Sequence, residues 1–191
     1  MKAASRKYRH LKVVSFGLTS HLRLEISMEG IINYIALACS ALSLIFDIVA
    51  VAIPNWISKS PLHYGLWKIC VLDECRDIST IYSLSGVQEP GHLKAAQALL
   101  IIGLIMLVVA IAMVVLKILV MKDNAFLSVG ASVSAITGGI LILIGAIVFA
   151  ARETQNSVFT ADTLSAGFAL AIVSGVFALI AGSLFFVGKN K

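Results

Sequence analysis

IINYIALACSALSLIFDIVAVAIPNWISKSPLHYGLWKICVLDEC, residues 31–75, is a run of oil followed by a run of chemistry. Its first 23 residues, 31–53, carry a single charged side chain, Asp47. At about 1.5 Å of rise per helical residue, some ~20 apolar residues cross a bilayer. The segment is long enough to span, and Pro54 ends it, because the residue before a proline is pushed out of the helical region. The polar gap that follows holds both tryptophans of the chain and two of its three cysteines.

Working outward, the same oil recurs. The chain has 191 residues, 59% of them apolar and 13% charged, with a mean hydropathy of +0.97. Soluble domains are roughly half apolar and a quarter charged. Further spans are expected at 95–120, 126–151 and 163–188, and apolar runs in soluble cores seldom exceed about 14 residues. The fold class is therefore an all-α membrane protein with a four-helix transmembrane bundle.

Lys and Arg set the expected orientation, since loops rich in them stay cytoplasmic. The N-terminal segment holds Lys2, Arg6, Lys7, Arg9, Lys12 and Arg23; the link between spans two and three holds Lys122, and Lys117 lies just before it. Loop 54–94 balances four basic against four acidic residues. Both termini are expected in the cytoplasm, with loops 54–94 and 152–162 outside. The net charge of +5 then reflects the cytoplasmic face and not nucleic-acid binding. Residues 1–27 read as a basic cytoplasmic arm, with a transit peptide or a start at Met28 as competing readings. The four-span domain covers 28–188, and 189–191 form a short tail.

Within the spans, small residues recur at four-residue spacing: Gly130, Ser134 and Gly138; Gly167, Ala171 and Gly175; Ser174, Ala178 and Gly182. Such stripes let membrane helices approach closely, within one bundle or between copies. Asp47 lies about 9 Å below the outer end of its helix, a depth that costs a carboxylate roughly 2–3 kcal/mol unless it gains a partner or a proton. It reads as an intramembrane polar contact bonded to Ser or Thr hydroxyls of span three or four, or as part of an ion path. Lys117 can snorkel to the interface and needs no special role.

In the loop, 64–71 reads as a strand, with Trp67, Ile69 and Val71 on one face and Tyr64, Leu66, Lys68 and Cys70 on the other. Residues 72–74 offer a turn and 76–82 an imperfect return strand. Cys70 and Cys75, with four residues between them, suit a disulfide clamping that hairpin on the oxidising side of the membrane. A metal site built on His63, Cys70 and Cys75 lacks a fourth ligand at any recognised spacing. Trp56 and Trp67 suit the membrane interface or the core of a small sheet. The expectation is that Trp67 packs against the base of that sheet, near Trp56.

No enzyme is expected. His10, His21, His63 and His92 are scattered, no residue set supplies a nucleophile beside a base, and no cofactor motif occurs. A transporter would want broken helices or several buried charges.

Trp56, then Gly65-Leu66-Trp67, then Cys70 and Cys75, in the first outer loop of a four-span chain, resembles the signature of the claudin superfamily. That superfamily includes the peripheral myelin, epithelial membrane and lens fibre membrane proteins. LKAAQAL at 93–99 adds to the likeness, with Gln97 where the myelin and epithelial membrane branch tends to carry glutamine. The short gaps, eight residues from Trp56 to Gly65 and four between the cysteines, are closer to the lens fibre members than to tight-junction claudins. The resemblance implies a small antiparallel extracellular β-sheet on the bundle and a multi-pass protein of the plasma membrane, at cell–cell junctions among other places. It implies a role in adhesion, barrier formation or membrane organisation. The partners are then the lipid bilayer, further copies in cis and in trans, or another membrane protein; a channel's auxiliary subunit is the alternative function.

Overall fold

The computed structural model describes residues 31–72, 74–119, 125–153 and 163–188. The expected N-terminal arm, the tail and most of loop 152–162 lie outside them. Among the described residues, four helices are long and apolar enough to cross a membrane: α1 (Ile31–Ala52), α3 (Gly91–Leu119), α4 (Ala125–Glu153) and α5 (Ala166–Val187). Between α1 and α3 lie strands β1 (Ile57–Lys59), β2 (Leu62–Tyr64), β3 (Lys68–Val71) and β4 (Glu74–Asp77), then a short helix α2 (Ile78–Ser85).

Many large aliphatic residues face outward, among them Ile45, Ile48, Ile105, Val108, Ile144 and Ile180, while the interior mixes small residues with larger ones such as Leu100, Leu107 and Ile142. On α3 the buried positions are Leu93, Ala96, Leu100, Gly103, Leu107, Ala110 and Val114. Their alternating spacing of three and four is the seam of helices crossing at a shallow angle. A protein solvated by lipid gains nothing from hiding large hydrophobic groups; close backbone approach is what holds its helices together.

The small-residue stripes are spent on that approach inside one bundle. α4 lies between α3 and α5. A Cβ placed on Gly138 would sit 3.0 Å from the Gly103 carbonyl oxygen, and one on Gly175 would sit 2.6 Å from Leu143 Cγ and 3.2 Å from the Gly139 oxygen. Ser132 Oγ donates to the Gly182 carbonyl at 2.7 Å, and Ser43 and Ser174 each donate to the other's carbonyl at 2.8 Å, joining α1 to α5. Gly175→Leu is expected to cost about 1–3 kcal/mol by overpacking, against less than about 1 kcal/mol for Leu141→Ile, in thermal unfolding of detergent-solubilised protein. Equal midpoints for the two variants would remove the stripe from the account.

The sheet is a meander in the order β1-β2-β3-β4, all antiparallel. Its register pairs Ile57 with Tyr64, His63 with Cys70, and Cys70 with Cys75. Leu72, at φ 51°, supplies the positive φ that tight two-residue hairpin turns need between β3 and β4.

Three details differ from the sequence reading. The strand expected over 64–71 is interrupted, because Gly65-Leu66-Trp67 forms the connection from β2 to β3, closed by Gly65 N–H donating to the Lys68 carbonyl at 2.9 Å. The return strand stops at Asp77, opposite Lys68, where its partner strand ends. The chain then turns into α2 with Ile78 buried, and Gly86 in the left-handed conformation ends that helix. Residues 163–165 do not extend the last span; Leu164 instead bridges to Ile57 at the sheet.

Candidate functional site

Trp56 is the hub of the sheet-bearing end. It is fully buried, and its Nε1–H donates to the Ala50 carbonyl in the last turn of α1 at 2.7 Å. That carbonyl is one of the four a helix end leaves without an internal partner, so the indole caps the helix as it fills the core. The ring meets Phe149 of α4 edge-on at 4.9 Å between centroids, and Tyr64 of β2 stacks on the same phenyl at 5.9 Å. On its remaining side lies Gly167 of α5, where a Cβ would stand 2.7 Å from Nε1. Its backbone completes the junction: Trp56 N–H donates to Tyr64, Ser165 N–H donates to Trp56, and Gly167 N–H donates to Asn55, at 3.0, 2.9 and 2.8 Å.

The Gly-Leu-Trp run divides its labour. A Cβ on Gly65 would lie 2.5 Å from Pro54 Cα, 3.1 Å from Pro54 C and 3.2 Å from the Ile53 oxygen, so the bare backbone is what lets the turn sit on the end of α1. Leu66 is fully buried in the same core as Trp56. Its carbonyl accepts a 2.7 Å hydrogen bond from Gln97 Nε2, which ties the turn to α3 and gives the signature glutamine a structural role. Trp67 departs from expectation. It is 39% exposed and lies over α3, beside Lys94, Gln97, Ala98, Ile101 and Ile102. Leu66 and Trp67 do fall on opposite faces, as alternation expects, but the face that packs inward is the one holding Tyr64, Leu66 and Cys70, and Trp67 shares the outer face with Val71.

Cys70 and Cys75 are bonded, Sγ–Sγ 1.95 Å, with Cα atoms 4.0 Å apart across the β3–β4 pair. The bond leaves no thiolate for His63 to share a metal with. His63 is exposed and within 3.2 Å of Ser58 Oγ and 3.4 Å of Asn55 Oδ1. Cys39 is a free thiol, half-buried on α1.

Asp47 is fully buried, but the expected hydroxyl partner is missing. Among the described residues neither carboxyl oxygen has a hydrogen-bond partner; Ser43, four positions earlier on α1, bonds to Ser174 of α5. Lys117, expected to snorkel freely, donates to Ser128 Oγ and pins α3 to α4. Phe149, Tyr64 and Gly167 are the site residues that sequence reasoning missed. Phe149 stands out within an aliphatic span, yet nothing local says which tryptophan it meets.

These features define a class: a four-span membrane protein carrying a disulfide-clamped antiparallel sheet, keyed into the bundle by one buried tryptophan. The sequence pattern of the PMP-22/EMP/MP20/Claudin family matches residues 29–185, and the chain belongs to that family. It is also similar to epithelial membrane protein 1 of Oryctolagus cuniculus, with 30% identity over 144 residues, 71% of this chain and 83% of that protein.

Proposed function

We propose that this chain is a non-enzymatic organiser of the plasma membrane that acts in adhesion or barrier formation at cell–cell contacts, with the sheet outside and both termini in the cytoplasm. One observation carries the reading. The Trp56 junction and the disulfide make a rigid platform of the sheet, while β4, the edge strand, leaves all four residues Glu74 to Asp77 exposed. An exposed edge offers unpaired backbone groups and charged side chains to another chain. Family membership supports the non-enzymatic part, and the chain's charge distribution supports the orientation.

The test is expression in cells that lack junctions, with a tag at the C-terminus and another inserted near Ser85. The Ser85 tag is expected to bind antibody on intact cells, the C-terminal tag only after permeabilisation, and the protein to concentrate where two expressing cells touch. A C-terminal tag read on intact cells overturns the orientation. Uniform distribution at contacts, with co-purification of a channel, moves the protein to the auxiliary-subunit alternative.

A further inference from the structure

The groove between Trp67 and α3 is open to the membrane, and its lining is sorted by height. Lys94 stands at its top, Ala98 forms its floor, and Ile101 and Ile102, 40% and 49% exposed, continue it downward. From Lys94 to Ile102 the helix descends about 12 Å, the distance from headgroup level well into the hydrocarbon. Ala98 makes the dent, because a methyl group sits where the helix above and below carries larger side chains. Gln97 turns its amide N–H to the Leu66 carbonyl and is thereby occupied on the groove's inner wall. The groove holds about 390 Å³, near the low end of small-molecule sites.

The charge at the rim specifies more. Lys94 Nζ lies 3.5 Å from Glu89 Oε2, with the lysine half-exposed and the glutamate mostly covered. The upper end of the groove therefore has one exposed cation and, next to it and mostly covered, one anion. A net-anionic headgroup would meet the glutamate's repulsion. A headgroup with a phosphate and an ammonium meets both charges with their opposites, and a quaternary ammonium also gains from an indole face. Trp67 supplies that face at the level where tryptophan settles in membranes.

We propose that this groove is a binding site for one zwitterionic phospholipid of the leaflet on the sheet's side. Its phosphate lies on Lys94, its ammonium lies between Glu89 and Trp67, and one acyl chain runs over Ala98, Ile101 and Ile102. The inference does not depend on the adhesive role or on which side of the membrane the sheet faces.

The experiment uses the full chain in nanodiscs of equal parts phosphatidylcholine and phosphatidylglycerol, with brominated chains on one lipid or the other. Bromine quenches tryptophan at contact; Trp56 is buried, and a Trp67→Phe variant gives its background. Brominated phosphatidylcholine is expected to quench Trp67 about twofold more than brominated phosphatidylglycerol, the discrimination one exposed ion pair supplies. Glu89→Gln, which removes the repulsion and the ammonium's partner but keeps Lys94, is expected to abolish the preference from the rim, and Ala98→Phe to abolish it from the floor by filling the dent. Thermal unfolding of each variant checks that the fold is kept, and either variant alone suffices if the other fails to fold. Equal quenching by the two lipids in the unmodified chain overturns the proposal. Stronger quenching by a brominated sterol assigns the groove to sterol and overturns it as well. Protection from every brominated lipid, with a dimer in native mass spectrometry, gives the groove to a second copy and does the same.

Discussion

Trp56→Ala is expected to be among the most damaging single substitutions in this protein, and Trp67→Ala to be mild. Trp56 is fully buried, and truncation removes its packing on Phe149, its contact with Gly167 and the cap on Ala50. Losses of this kind cost about 3–5 kcal/mol. Trp67, 39% exposed over α3, is expected to cost about 1 kcal/mol or less. Trp56→Phe separates the terms: most of the apolar area stays, the N–H goes, and the Ala50 carbonyl is left to solvent-free surroundings, for about 1–3 kcal/mol. Circular dichroism melts in detergent measure all three. Equal losses for the two alanine variants would mean that the two indoles share the sheet's base after all.

Gly65→Ala is the second large effect. One added methyl group meets three backbone atoms of Ile53 and Pro54, the nearest at 2.5 Å, and none of them belongs to a side chain that can rotate away. The turn must lift off α1, which pulls Leu66 out of the core and its carbonyl away from Gln97. A cost of roughly 3–4 kcal/mol is expected, at the high end for overpacking. The signature of the lift is local: Gln97→Ala, which deletes the same tie from the other side, is expected to add little further loss in the double variant, since coupled sites are not additive. Full additivity would show that the methyl group acts elsewhere. At Gly86, by contrast, space is open and the constraint is a φ of 67°, so alanine there strains the backbone without any collision.

How far the sequence could be read follows from the range of the forces involved. The spans were legible because bilayer thickness imposes a length on the sequence itself. The cysteine hairpin was legible because its two residues are near neighbours along the chain. The Gly-Leu-Trp run was misread as strand because alternation is a local pattern, whereas the turn that interrupts it seats Gly65 against Pro54, eleven positions back in the chain. Alternation did separate Leu66 from Trp67, but it does not say which of the two faces the bundle covers. Asp47 was assigned a hydroxyl partner on chemistry alone; which serines are already engaged with each other depends on how α1 meets α5. Gln97 was noted as a signature, but only the fold shows that the carbonyl of Leu66 is what it holds.

The Trp56 junction also imposes an order on biosynthesis. The first loop emerges early, but the groups that lock it come from the start of the last helix: Ser165 N–H for the Trp56 carbonyl, Gly167 N–H for Asn55, Leu164 beside Ile57, and the open flank of Gly167 that receives the indole. Until α5 is inserted, one flank of the indole and two backbone carbonyls stand without their partners, however well the hairpin has already oxidised. A ribosome that stops before α5 therefore releases a chain whose loop looks finished covalently and is unfinished physically. The tryptophan is in this sense a latch whose last part arrives with the start of α5.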